Sequence, residues 1–366
     1  MPVQDVIPPY EQMYLLNQQL ICNADQFKHA VITVGGQAVQ YWISYYHAQY
    51  GDRLPDERLT TSVDCDYSAR KDDIAAIAKT LNVKTWENKD GQPPSLAQFM
   101  LIDQDTHDIK RDDGRLFAVP DAPDEPNVVD IIDRPGGFDR SDFLGEKLYL
   151  YTAPFYVEAT GPGMPEMNEK VRVLNPVACM RSRFSNLIAL RRDAEIEIAR
   201  INALKIPCYF FLIEQFDEQP FKVARGIFMD LWWLANDESC LRHQAFWHSW
   251  QGPLLEGQQS NNITLIDVLE GVHAYLEGHL DDFEIPEAFV TKELPLKLAQ
   301  LRERWERYVV LNAEWAARGR RGFERNRRDD REGANKQVMS SQADSLIKIS
   351  RIWADFFPAN TSNQPI

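Results

Sequence analysis

The sequence predicts an α+β fold: a mixed sheet with flanking helices, followed by a mostly helical C-terminal domain. Two observations carry that prediction. Up to about residue 174, short β-branched runs alternate with amphipathic segments, without the regular spacing of strand–helix–strand units. Beyond residue 175, apolar residues recur almost only at helical intervals. The expected division is therefore 1–174, 175–357 and a disordered tail at 358–366.

Taken in order, residues 10–23 (YEQMYLLNQQLICN) read as a helix and 29–34 (HAVITV) as a strand that stops at Gly35-Gly36. A second helix follows over 38–50, with Val39, Trp42, Ile43 and Tyr46 on one side. Residues 60–69 (TTSVDCDYSA) read as a strand, and 71–82 as a helix with Ile74, Ile77, Ala78 and Leu81 on its inner face. Further strands are expected at 97–103, 116–119 and 127–133, with one or two more within 147–160. The helical half contains periodic segments at 179–205, 262–280, 293–312 and 342–357.

Bulk properties narrow the function classes. Hydrophobic content of 44% suits a globular chain, and no apolar run approaches the roughly 18 residues that a membrane span needs. The N-terminus lacks a basic stretch leading into an apolar one, so no secretory signal is expected. Five cysteines without a CxxC pair fit reduced thiols and a cytoplasmic setting. A formal charge of −15 opposes a whole-surface grip on nucleic acid. The balance inverts only at 318–331 (RGRRGFERNRRDDR), with seven arginines against three acids. Those arginines suit either an RNA backbone or a solvated helix with internal pairs, and Gly319 and Gly322 favour a loop.

The chemistry concentrates in three features. Gly35-Gly36 lies between a strand and a helix, where the backbone can approach a phosphate and the helix N-terminus favours an anion. Asp64 and Asp66 stand two residues apart on the next strand and so share one face, while Val63, Cys65 and Tyr67 form the other. Asp130 interrupts the apolar run NVVDIID, where an ionisable group requires a partner or a ligand. Asp133, just beyond it, belongs to a turn. Three carboxylates from two strands can hold Mg²⁺ (or Mn²⁺), and Asp130 can accept a proton from an attacking hydroxyl. An arginine would satisfy only one of two adjacent carboxylates well, so a divalent ion is the better partner.

This arrangement resembles the nucleotidyltransferase superfamily related to DNA polymerase beta. The wording GGQA…TTSVDCDY is similar to the abortive-infection nucleotidyltransferase toxins of bacteria. The resemblance covers roughly residues 25–205. It implies Mg²⁺-dependent transfer of a nucleoside monophosphate from an NTP to a hydroxyl on RNA (tRNA among the acceptors), a protein or a small molecule. It implies Asp64, Asp66 and Asp130 as catalytic and metal-binding residues and Gly35 and Gly36 as the phosphate turn. Arg181, Arg183 and Arg191, with Arg192, take the place of the family's triphosphate-contacting helix residues. A role in toxicity or phage defence, with an antitoxin partner, is also implied. The chain departs from the family in having Gly36 where many relatives have serine, and twenty-seven residues between Gly36 and Asp64.

Two other readings remain open at this level. One is a degenerate member that binds nucleotide or a partner without catalysis; the other is a helical interaction protein whose acidic strand is only surface. Cys240, His243 and His248 suggest zinc, but no fourth ligand accompanies them and the surrounding tryptophans favour core packing. Tyr209, Phe210, Phe211 and Phe216 likewise suit a core.

Overall fold

A computed structural model describes residues 5–50, 62–87, 95–158, 161, 163, 165–190, 194–249, 263–280 and 284–329. Contacts divide the chain into Met1–Tyr308 and Val309–Ile366. The first unit is α+β, built on a seven-stranded mixed sheet. The expected boundary after residue 174 falls inside it.

The sheet order is β10 (Thr152–Pro154), β11 (Val171–Leu174), β1 (Val31–Thr33), β2 (Cys65–Ser68), β9 (Val128–Ile132), β4 (Ser95–Asp103) and β3 (Val83–Glu87). The pairs β1–β11 and β2–β9 run parallel; the remaining neighbours are antiparallel. Four short strands, β5 (Arg111–Asp112), β6 (Arg115–Leu116), β7 (Ala118–Val119) and β8 (Ala122–Pro126), form two ribbons outside this sheet.

Helix α1 (Pro9–Cys22) starts with proline at its first position, where the missing N–H costs nothing, and buries Met13, Leu16 and Leu20. It also carries amides through the core. Asn17 donates to the Tyr67 hydroxyl at 3.1 Å and accepts from Thr33 Oγ1 at 2.9 Å. Gln12 Oε1 accepts from Asn127, whose amide also donates to the Val63 carbonyl at 2.9 Å. Gln12, Asn17 and Asn127 are all fully buried. Buried polar groups are tolerated only when partnered, so this network fixes where β1, β2 and the residue ahead of Asp64 sit.

Helix α2 (Gly35–Tyr50) buries Val39, Trp42, Ile43 and Tyr46 as expected, and these residues tie the sheet to the helices that follow it within the first unit. Trp42 Nε1 donates to the Leu174 carbonyl at 2.7 Å, and its ring meets Phe211 of α6 (Ala194–Glu218) edge-on at 5.4 Å. Tyr46 donates to Glu214 of α6 at 2.7 Å and stacks on Phe210. An aromatic seam of this kind binds as a core does, not as a domain interface. Helix α3 (Ile74–Leu81) shows the expected inner face and ends at Asn82 in the left-handed conformation.

Three expectations are corrected. Of the one or two strands expected within 147–160 one is present, β10, and the segment's first residues instead belong to α4 (Glu146–Tyr151). The letters KLYLY alternate, yet the helix lets Tyr151 pack on Phe138 and Leu150 lie against Gly226. The periodic segment 179–205 is two helices: α5 (Pro176–Ile188), capped by the Asn175 side chain, ends at Ala189 before α6 begins. The glycines at 319 and 322 do not make a loop; α10 (Leu294–Asp329) runs through them, good helix formers on either side outweighing about 1 kcal/mol per glycine. The segments 342–357 and 358–366 lie outside the described residues.

The remaining helices are α7 (Phe221–Asn236), α8 (Glu238–Ser249) and α9 (Leu265–Gly278), the last opened by a Thr264–Asp267 capping box. Phe211, Phe216, Cys240 and His243 are buried among them, as core packing requires. No described helix is long and apolar enough to cross a membrane.

Burial pushes the His243 imidazole down to about 4. The ring stays neutral in the folded chain but takes a proton in the unfolded chain below about pH 6.5. The unfolded state then binds more protons, so stability falls as pH drops from 6.5 toward 4. Between pH 7 and 5 the loss from this group is about 2 kcal/mol. His243→Gln should lose less stability over that interval in urea titrations by about this amount; equal losses would acquit His243.

Candidate functional site

Antiparallel pairing of β1 with β2 places the end of β1 opposite Asp66: Thr33 lies across from Tyr67, and the Val34 N–H donates to the Asp66 carbonyl at 2.9 Å. The next residue, Gly35, turns the chain into α2 with φ +69°. A Cβ at this position would lie 1.9 Å from Asp66 Oδ2. Only glycine fits there, on conformational and on steric grounds. The Asp66 carboxylate thus rests against the first residue of a helix, where the backbone dipole favours negative charge.

Parallel pairing of β2 with β9 sets Asp66 directly beside Asp130, and Gln98 of β4 follows on the far side. Strands in a sheet lie about 4.8 Å apart, so the two aspartates are lateral neighbours. Cys65, Tyr67, Val129 and Ile131 all point to the opposite, fully buried face. Gln98 Nε2 donates to Asp130 Oδ1 at 2.9 Å, which orients that carboxylate. The placement of Asp64 is corrected: the strand expected over 60–69 begins only at Cys65, so Asp64 sits at a bend just before β2 and is exposed. Partial desolvation, and then the charge of Asp130, push its carboxyl above the usual range. Burial raises the Cys65 thiol, with Asp66 and Asp64 adding to the effect. Negative charge is therefore concentrated at this end of β2 and β9. Among the described residues, no three His, Cys, Asp or Glu side chains form a group able to hold a metal ion. Asp133 lies outside this cluster, clamped by Arg134 at 2.8 Å and Arg140 at 2.6 Å.

The arginines are arranged differently from the expectation. Arg181 is turned elsewhere: its guanidinium lies 4.4 Å from the Phe138 ring centre and 3.4 Å from Asp230 of α7. Arg183 is buried and paired with Glu197 of α6 at 3.3 Å. Arg191 and Arg192 lie outside the described residues. Among the described residues, Arg200 reaches the glycine turn: its Nη2 would lie 2.6 Å from a Cβ on Gly36. Ser62 reaches the same point, its Oγ 2.5 Å from that position. Sequence reasoning singled out neither residue. The available signal was Glu197 within the apolar run EIEIARI, a charge three residues before Arg200 that had to be paired inside the fold.

Comparison with protein-family models, with curated proteins and with solved structures finds no match to this chain.

The Gly35–Asp66 contact yields a coupling prediction. Gly35→Ala combines left-handed strain of about 1–2 kcal/mol with a collision, and should cost about 2–4 kcal/mol in unfolding experiments. Gly35→Ala/Asp66→Gly should be more stable than the sum of the single losses implies, by at least about 1 kcal/mol. Strict additivity would show that the two residues do not meet.

Proposed function

We propose that the chain is a divalent-metal-dependent nucleotidyltransferase. The observation supporting this most is the lateral pair Asp66–Asp130 beside the glycine turn that opens α2. Two neighbouring carboxylates with Asp64 close by suit Mg²⁺ or Mn²⁺, because Mg²⁺ is commonly bound by one or two carboxylates plus substrate phosphates and waters. A full protein cage is not needed for that mode. The bound ion would supply charge neutralisation at the reacting phosphate.

The chain's own residues would do the rest. The N-terminus of α2 and Arg200 present positive potential to the triphosphate of an NTP. Asp130, oriented by Gln98, would accept the proton of the acceptor hydroxyl. The acceptor oxygen then bonds to the α-phosphorus as the bond to the bridging oxygen of the β-phosphate breaks, releasing pyrophosphate. The acceptor would be a hydroxyl on RNA, tRNA included, on a protein or on a small molecule. A toxin or phage-defence role, with an antitoxin partner, would follow from that transfer in a cell.

The placement of Asp66 against the N-terminus of α2 also favours a second reading. A carboxylate there stabilises the helix end whether or not it binds metal, as in a non-catalytic nucleotide- or partner-binding protein of the same fold.

The deciding experiment incubates the protein with α-labelled NTPs, Mg²⁺ or Mn²⁺, and total RNA or cell protein. The first reading expects label transfer that falls at least about 100-fold in Asp66→Asn and Asp130→Asn. Nucleotide-dependent thermal stabilisation without transfer selects the second, and neither response defeats both.

A further inference from the structure

Gly36 leaves a space at the start of α2 that two side chains fill. A Cβ there would meet Ser62 Oγ at 2.5 Å and Arg200 Nη2 at 2.6 Å. Ser62 comes from the chain ahead of β2, and Gln37 Nε2, one residue beyond Gly36, donates to its carbonyl at 2.6 Å. The hydroxyl is thereby tied to the helical turn it faces. Arg200 comes from α6, and Glu197 lies between it and Arg183 at 3.9 and 3.3 Å. The Glu197 side chain is only 3% exposed.

We infer that Ser62 and Arg200 are further ligand-facing residues of the glycine turn, taking a phosphate oxygen of the nucleotide, and that Glu197 is the positioning residue that holds Arg200 there. This rests on the nucleotide reading above. Ser62 supplies from outside the turn the hydroxyl that a serine at position 36 would supply from within it, so Gly36 accommodates a donor and its lack of a side chain costs the site nothing. Glu197 fixes the direction of Arg200 without touching the ligand, so its charge, not its bulk alone, matters.

The test measures NTP affinity in Mg²⁺ by calorimetry and melting temperature without nucleotide, across one set of variants. Ser62→Ala and Glu197→Gln should each weaken binding at least 5-fold, while Glu197→Asp, which keeps the charge, should recover more than half of that loss on a logarithmic scale. Gly36→Ser should melt below the wild type and bind at least 10-fold more weakly. Gly36→Ser/Ser62→Gly should regain melting temperature and bind at least 5-fold more tightly than Gly36→Ser alone. Wild-type binding that survives Ser62→Ala and Glu197→Gln unchanged overturns this inference and leaves the nucleotide reading standing. A double variant no better than Gly36→Ser also overturns it. Absence of wild-type binding removes both.

Discussion

The contact between Asp66 and Gly35 is the constraint on which the rest of the site depends. It requires two things at once: a left-handed residue to turn β1 into α2, and no side chain on it where the carboxylate lies. Any other residue at position 35 forces α2 away from β2 or forces Asp66 off its face. Since Asp130 is the register partner of Asp66, it would lose its place relative to the helix N-terminus as well. A single glycine thus positions two carboxylates and one helix dipole together.

The back of the sheet holds this front in place. Tyr67, beside Asp66 and pointing the opposite way, is anchored by Asn17, and Val63, beside Asp64, is anchored by Asn127. Asn17 and Asn127 are themselves fully buried, so each of these bonds resists loss, because an orphaned buried amide costs about 1–3 kcal/mol. A register slip of one residue along β2 would break them and invert the two faces. The acidic face is thus specified from α1, which carries none of its chemistry.

Much of this was legible in the sequence, and the failures have physical causes. The glycine pair, the two-residue spacing of Asp64 and Asp66, and the isolated charge of Asp130 are local signals, and the structure brings Gly35, Asp66 and Asp130 together. The inner faces of α2 and α3 were also legible, because helical periodicity survives whatever the helix packs against. The arginines were misread since a helix face does not reveal its neighbour. Arg181 finds aromatic rings and Asp230, Arg183 finds Glu197, and both partners lie far along the chain or beyond a break between helices. Ser62 was invisible for a related reason: its importance arises only from the absence of a side chain twenty-six positions earlier. Within 147–160 a strand is present at Thr152–Pro154, but the alternating letters of 147–151 satisfy a strand pattern while tertiary contacts of Tyr151 and Leu150 select a helix.

Helix α6 is part of the candidate site and not merely beside it. Helix α6 contributes Arg200 at one end and, over its next turns, Phe210, Phe211 and Glu214 to the seam with α2. Helix α2 contributes the glycine turn at its own start and Trp42 and Tyr46 to the same seam. Two helices joined by close-packed rings and a part-buried hydroxyl–carboxylate bond move together, because interiors of this density transmit displacement and do not absorb it. The distance between Gly36 and Arg200 is therefore set by aromatic packing two or three turns away. A loss of volume at Trp42 or Phe211 would act on the glycine turn without touching it, through the tilt of α6 against α2.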